Sequence, residues 1–150
     1  MTSLPALFAA PALQPQLELI VASYKRLTGR DLVAPGESLW EAPRAIVAHG
    51  TEADPIFFFG NRMALARFEM TPEQFARTPS RFSAEPLARD ERQALLDHVT
   101  RHGFIDDYAG VRISASGRRF RIEAATVWNL LDAEGAVHGQ AAAFDRWSEL

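Results

Sequence analysis

At 150 residues, with a formal net charge of −3 and no cysteine, the chain has the length of one domain able to bury roughly two thirds of the surface that its unfolded state exposes. The cysteine count excludes disulfides, thiolate metal sites, a cysteine nucleophile and a cysteinyl cofactor bond. The negative balance argues against a general nucleic-acid or anionic-membrane binder, and the near-exclusive use of arginine, with Lys25 the only lysine, reads as a coding bias more than a phosphate-binding surface.

The first eleven residues are partly apolar but are broken by Pro5 and Pro11 and lack a basic leader, a pattern that argues against a signal peptide. No apolar run reaches the length of a membrane span, so the expectation is a cytoplasmic protein. Residues 1–14 read as a flexible N-terminal lead-in, and residues 15–150 as a single domain. From Pro15 a helix can run to Thr28, where Gly29 offers a C-terminal cap. Leu17, Ile20, Tyr24 and Leu27 form a narrow apolar stripe with Val21 beside it, suited to a sheet of the same chain or to the same helix of a second subunit.

After the turn at Pro35-Gly36 a short helix carrying Trp40 is expected over residues 37–42, stopped by Pro43. Residues 44–49 and 56–59 read as an antiparallel strand pair across a turn-rich loop. Asn61 stands where an N-cap is needed for a helix from Arg62. Thr71-Pro-Glu-Gln74 is a capping box, with Met70 and Phe75 at the spacing of a hydrophobic staple. A longer helix is expected over residues 89–102, with Leu95, Leu96 and Val99 on its apolar side and Gly103 at its end. Three strands follow, over residues 104–114, 118–131 and 136–147, joined by turns at residues 114–117 and 132–135. Two strands, several helices and three strands define an α+β domain with its helices gathered on one face of an antiparallel sheet.

Several stretches resemble the MEKHLA family: His49-Gly-Thr-Glu-Ala-Asp-Pro-Ile56, Asn61-Arg-Met-Ala-Leu65, Pro79-Ser-Arg81 with Ser83-Ala-Glu-Pro86, Gly103-Phe-Ile-Asp-Asp-Tyr-Ala-Gly-Val-Arg-Ile113, and Ser116-Gly-Arg-Arg-Phe-Arg-Ile122 with Thr126-Val-Trp-Asn-Leu-Leu131. The resemblance runs from about residue 15 to near the end of the chain. That family is PAS-like and occurs as small free-standing bacterial proteins and as the C-terminal domain of plant homeodomain leucine-zipper transcription factors. The hexapeptide that names the family is missing, which sets this chain apart from the plant branch and makes a bacterial source the expectation. The resemblance implies a five-stranded antiparallel sheet in order 2-1-5-4-3, helices on one face, an N-terminal flanking helix and a small-molecule pocket of unspecified ligand. Among PAS cofactors, a flavin-cysteinyl adduct is excluded by the lack of cysteine, and haem is disfavoured because it would need an axial histidine on the helical side.

Alternate residues of a strand point to opposite faces. On that rule Glu123 and Asn129, with Gln140 from the last strand, are expected to face the helices, a parity that a bulge would reverse. A buried Glu123 needs a partner, and Arg112 is the natural candidate, either as part of a polar ligand site or as a structural ion pair. His98 and His102 share a helix face at metal-pair spacing, but no glutamate follows His98, and a place near a helix C-terminus explains both imidazoles. His49 can reach into a pocket or bond the next turn, and Tyr108 and Trp128 offer aromatic walls with polar tips. The candidate ligand-binding set is His49, Tyr108, Arg112, Glu123, Trp128, Asn129 and Gln140. Three functions are expected from it: a stand-alone PAS-like sensory domain signalling through a partner or a homodimer built on the N-terminal helix and sheet face; a small enzyme using His49 and a carboxylate as base and acid; or a dimerisation module with a solid core.

Overall fold

Apolar residues spaced for one helix face and two tight turns in the C-terminal third organise the chain. The computed structural model describes residues 4–84 and 89–150. Its helices are α1 (Ala6–Ala9), α2 (Gln14–Thr28), α3 (Arg62–Phe68), α4 (Pro72–Phe75) and α5 (Arg89–His102), with a 3₁₀ turn over Ser80–Ser83. The strands are β1 (Ala45–His49), β2 (Phe57–Gly60), β3 (Phe104–Ile113), β4 (Arg119–Leu131), β5 (Val137–Phe144) and β6 (Arg146–Glu149). The Glu85-Pro86 half of one family motif, like the first three residues of the lead-in, lies outside the described residues.

The sheet runs β2-β1-β5-β4-β3, each neighbouring pair antiparallel, which is the expected order. The expected last strand is interrupted at Asp145, and its second part, β6, keeps the register on β4: Thr126 pairs with Ala143 and Glu123 with Arg146. The predicted capping box is formed, Thr71 Oγ1 accepting from the Gln74 amide at 3.1 Å and Gln74 Oε1 accepting from the Thr71 amide at 2.9 Å.

Helix α2 ends at Gly29, as expected, and covers the outer face of the sheet with the stripe read from the sequence. Trp128 Nε1 donates to the Ile20 carbonyl at 3.1 Å, the Tyr24 ring meets Trp128 edge-on, and Ser23 Oγ accepts from the Leu131 amide at 2.8 Å. Part of the expected flexible lead-in is itself packed: Phe8 of α1 is fully buried against Trp40 and Phe59. On the inner face α5 lies over Val127 through Leu95 and Val99, and Phe68 of α3 meets Phe120 edge-on.

The segment holding Trp40 forms turns, not the expected helix. In a helix the Leu39 carbonyl would accept from the amide four residues on, which is Pro43 and has no N–H. Asn61 Nδ2 donates to that carbonyl instead, at 3.0 Å.

Candidate functional site

Strand β4 decides what faces the helices. Tyr108 pairs with Ala125 and Gly110 with Ile122, so Glu123 and Ala124 together stand against Ala109, with Ala124 in a left-handed conformation at φ 51°. This is a β-bulge, and it reverses the alternation. Phe120 and Ile122 before it, and Ala125, Val127 and Asn129 after it, all face inward.

A cavity of about 50 Å³ opens between α5 and the inner face. Its apolar wall includes Phe68, Leu95, Leu96, Ile122 and Val127, and its polar rim is His49, Ser83, Arg92, Tyr108, Arg112 and Gln140. Four of the seven expected site residues, His49, Tyr108, Arg112 and Gln140, are therefore brought together. Asn129 adjoins them: its Oδ1 accepts from Gln140 Nε2 at 3.0 Å, and its Nδ2 donates to the Val99 carbonyl at 2.9 Å. Gln140 Nε2 also lies 3.1 Å from the Leu96 carbonyl, which it bonds. Both amides thus tie the last turns of α5 to the sheet, adding donors to carbonyls that already accept from the Gly103 amide (Val99) and from Thr100 Oγ1 (Leu96).

Two expected residues are elsewhere. Glu123 falls across the bulge from Asn129, at the β6 edge, where its carboxylate accepts from Ser148 Oγ at 2.8 Å. It does not meet Arg112. Trp128 points to the outer face, into the contact with α2.

Arg112 donates through Nη2 to the Tyr108 hydroxyl at 3.2 Å and through Nη1 to the Val111 carbonyl at 2.9 Å. Gly110 allows this, since a Cβ there would stand 2.2 Å from the Tyr108 hydroxyl. Arg92, absent from the expected set, is buried with its Nη2 donating to Ser80 Oγ at 2.6 Å. Burial, reinforced by the charge of Arg112, pushes its pKa down to about 10. The signal for Arg92 was in the sequence: residues 92, 95 and 99 share one helix face, and the first of these apolar positions carries an arginine.

His49 Nδ1 lies 3.0 Å from the Gly50 carbonyl. That oxygen can only accept, so Nδ1 carries the proton and the buried Nε2, which has no partner among the described residues, is an acceptor. Burial holds the imidazole below its ordinary pKa, with Arg92 acting in the same direction and the Gly50 bond and Glu52 opposing. The folded state therefore binds fewer protons than the unfolded chain, and stability rises with pH. The His49 contribution is complete above the unfolded value of 6.5 and is lost as pH falls from there toward the lower folded value. Urea midpoints between about pH 7 and about pH 5 should show this slope, at most about 1.4 kcal/mol per pH unit, reduced in His49→Gln. An unchanged slope in the variant would contradict a buried neutral His49.

Among the described residues no carboxylate lines the cavity, and no group of three His, Asp or Glu side chains is placed to hold a metal. The His98 and His102 rings are neighbours at 4.2 Å, while Asp106 is engaged with Arg30 at 3.6 Å. The cavity of about 50 Å³ is far below the roughly 300 Å³ at which cofactor-sized pockets begin.

A twisted antiparallel sheet in the order β2-β1-β5-β4-β3, with helices on one face enclosing a small cavity, defines a PAS-type domain. The chain belongs to the MEKHLA domain family, which matches residues 14–149. It is 29% identical over 143 residues to the homeobox-leucine zipper protein ATHB-14 of Arabidopsis thaliana, covering 86% of this chain and 16% of that protein. To HOX9 of Oryza sativa subsp. indica it is 28% identical over 119 residues, covering 73% of this chain and 13% of that protein. The chain thus spans about a sixth or less of the length of these relatives. They are plant proteins, and they do not support the expected bacterial source or the expected separation from the plant branch. Among solved structures, the PAS domain of a Colwellia psychrerythraea protein superposes with a TM-score of 0.60 at 14% identity, covering 74% of this chain and 89% of that one. The light-oxygen-voltage domain of the blue-light photoreceptor aureochrome1 gives 0.53 at 16% identity, covering 71% and 75%.

Proposed function

We propose that this domain is a PAS-like sensory module that binds a small molecule in the cavity between α5 and the sheet and passes the change to a partner or to a second copy through α2. The observation that carries this reading is the cavity itself, where His49 Nε2 is buried beside an apolar wall with no hydrogen-bond partner among the described residues. Strand β4 supplies the route outward. Val127 lines the cavity, and the next residue, Trp128, is bonded to Ile20 of α2. A ligand favouring one arrangement of β4 over another would thereby shift α2. The acid–base enzyme reading requires His49 and a carboxylate in one pocket, and Glu123 stands on the other side of the bulge.

Native mass spectrometry of the purified 150-residue chain tests this reading. The expected spectrum contains a retained small-molecule mass, or gains one on addition of small organic compounds, and loses it in Ala142→Leu, which fills the cavity beside Leu96. A chain that takes up no small molecule would return the solid-core reading. A dimer mass would support signalling between copies, and a monomer at every concentration would remove that branch.

A further inference from the structure

We propose that the cavity ligand is a short-chain carboxylate, its two oxygens bridging the Arg92 and Arg112 guanidiniums and its alkyl tail lying against Leu95, Leu96 and Val127. The inference rests on the ligand-binding reading above and names the chemical class that reading leaves open. Both arginines are buried, at 7% and 8% exposure of the residue, and both line the same cavity. Buried cations are ordinarily paired with an anion. Among the described residues their hydrogen-bond partners are all neutral: Ser80 Oγ for Arg92, and the Tyr108 hydroxyl and the Val111 carbonyl for Arg112. The carboxylate that acts electrostatically on Arg92 from outside the cavity, Asp54, is itself bonded to Arg81 at 3.1 Å on the surface.

Two like charges facing one small space with no acid among its described lining residues leave a place for an anion. A planar carboxylate matches the forked donors of arginine, and several donors remain on each guanidinium after the bonds already made. The apolar wall selects against a bare inorganic ion, because an ion alone would leave that surface without a partner. Size limits the tail. A cavity of about 50 Å³, against roughly 10–15 Å³ on the same measure for one water, suits an acid of about two to four carbons. His49 Nε2, an acceptor, then disfavours a second carboxylate on the same ligand and favours a hydroxyl or a water beside the first.

The test is a titration of the full chain with propionate, with the neutral isostere propionamide and with inorganic phosphate, followed by the backbone amide and arginine Nε–H resonances in nitrogen–proton correlation spectra. Propionate should shift the Arg92 and Arg112 side-chain signals together with Leu95 and Val127 and bind at least about tenfold more tightly than propionamide, the difference expected for charge-assisted hydrogen bonds. Arg92→Met and Arg112→Met should each weaken propionate by at least about tenfold and leave propionamide unchanged. Where a methionine variant does not fold, competition by phosphate in the unaltered chain replaces it: phosphate should compete with propionate weakly and should not shift Val127. Equal binding of propionate and propionamide would overturn the anionic class while leaving a small-molecule site in place. Phosphate binding without propionate binding would overturn the organic acid. Entry of none of the three would overturn this inference, and the ligand-binding reading falls with it only if the mass spectrum also shows no retained molecule.

Discussion

Asn61→Ala is expected to lower stability by about 4 kcal/mol or more, several times the effect of losing a helix cap. The cap is only part of what Asn61 does. Its Oδ1 accepts from the Ala64 amide at 3.1 Å and from the Ile46 amide at 3.0 Å, and its Nδ2 donates to the Leu39 carbonyl at 3.0 Å and the Arg44 carbonyl at 2.7 Å. The side chain is fully buried. One amide group therefore joins the start of α3, strand β1 and the Trp40 segment, and its removal leaves two donors and two acceptors without it. Each orphaned buried group costs about 1–3 kcal/mol. Asn61→Asp separates the two roles. Asparagine and aspartate are equivalent as N-caps, so a simple cap would tolerate the change, whereas a carboxylate against the Leu39 and Arg44 carbonyls would be at least as damaging as alanine. Urea denaturation of the three proteins decides between them, and a stable Asn61→Asp protein would contradict this account.

How much of this was legible in the sequence depended on whether the controlling interaction was local. The α2 cap at Gly29, the Thr71-Gln74 capping box and the turn glycines Gly117 and Gly135 are set within a few residues, and each stands where the pattern put it. The Asn61 cap was legible too, but its bonds to Leu39, Arg44 and Ile46 were not, since they reach 15 to 22 residues back along the chain. Among the site residues the dividing line is Ala124. No glycine or asparagine marks the bulge, and an alanine held left-handed against its intrinsic preference is a choice made by the surrounding sheet. Strict alternation therefore placed Asn129 correctly and Glu123 wrongly, because the two lie on opposite sides of it. Trp128, an expected pocket wall, sits on the outer face against α2, so its part in the proposed switch is transmission and not ligand contact. Arg92 is hard to place from the sequence because a charged residue on a helix ordinarily faces solvent. Its spacing from Leu95 and Val99 placed it inward all the same.

Gly139→Ala is expected to cost about 3 kcal/mol or more and to disorder the polar end of the cavity along with the β1–β5 pairing beside it. Gly139 has a φ of 143°, and a Cβ built there would stand 2.1 Å from the His49 carbonyl oxygen and 3.3 Å from the Gly50 Cα. Both are backbone atoms, so no side-chain rotation relieves the overlap, and the conformation itself is one that essentially only glycine adopts. The strand must move. His49 pairs with Gln140 across β1 and β5, so pushing β1 away displaces the imidazole and loosens the amide that bonds the Leu96 carbonyl of α5. Stability and site should therefore fail together: the urea midpoint drops, the pH slope assigned to His49 flattens because its ring gains water, and propionate loses affinity although neither arginine has changed. Gly135→Ala is the control, with a left-handed φ of 84° but no atom within 4 Å of its Cβ. It should lose about 1 kcal/mol of stability through backbone strain alone and leave the His49 slope intact. Equal losses in the two variants, or an unshifted His49 resonance in Gly139→Ala, would show that the close approach of β5 to β1 does not hold the cavity in shape.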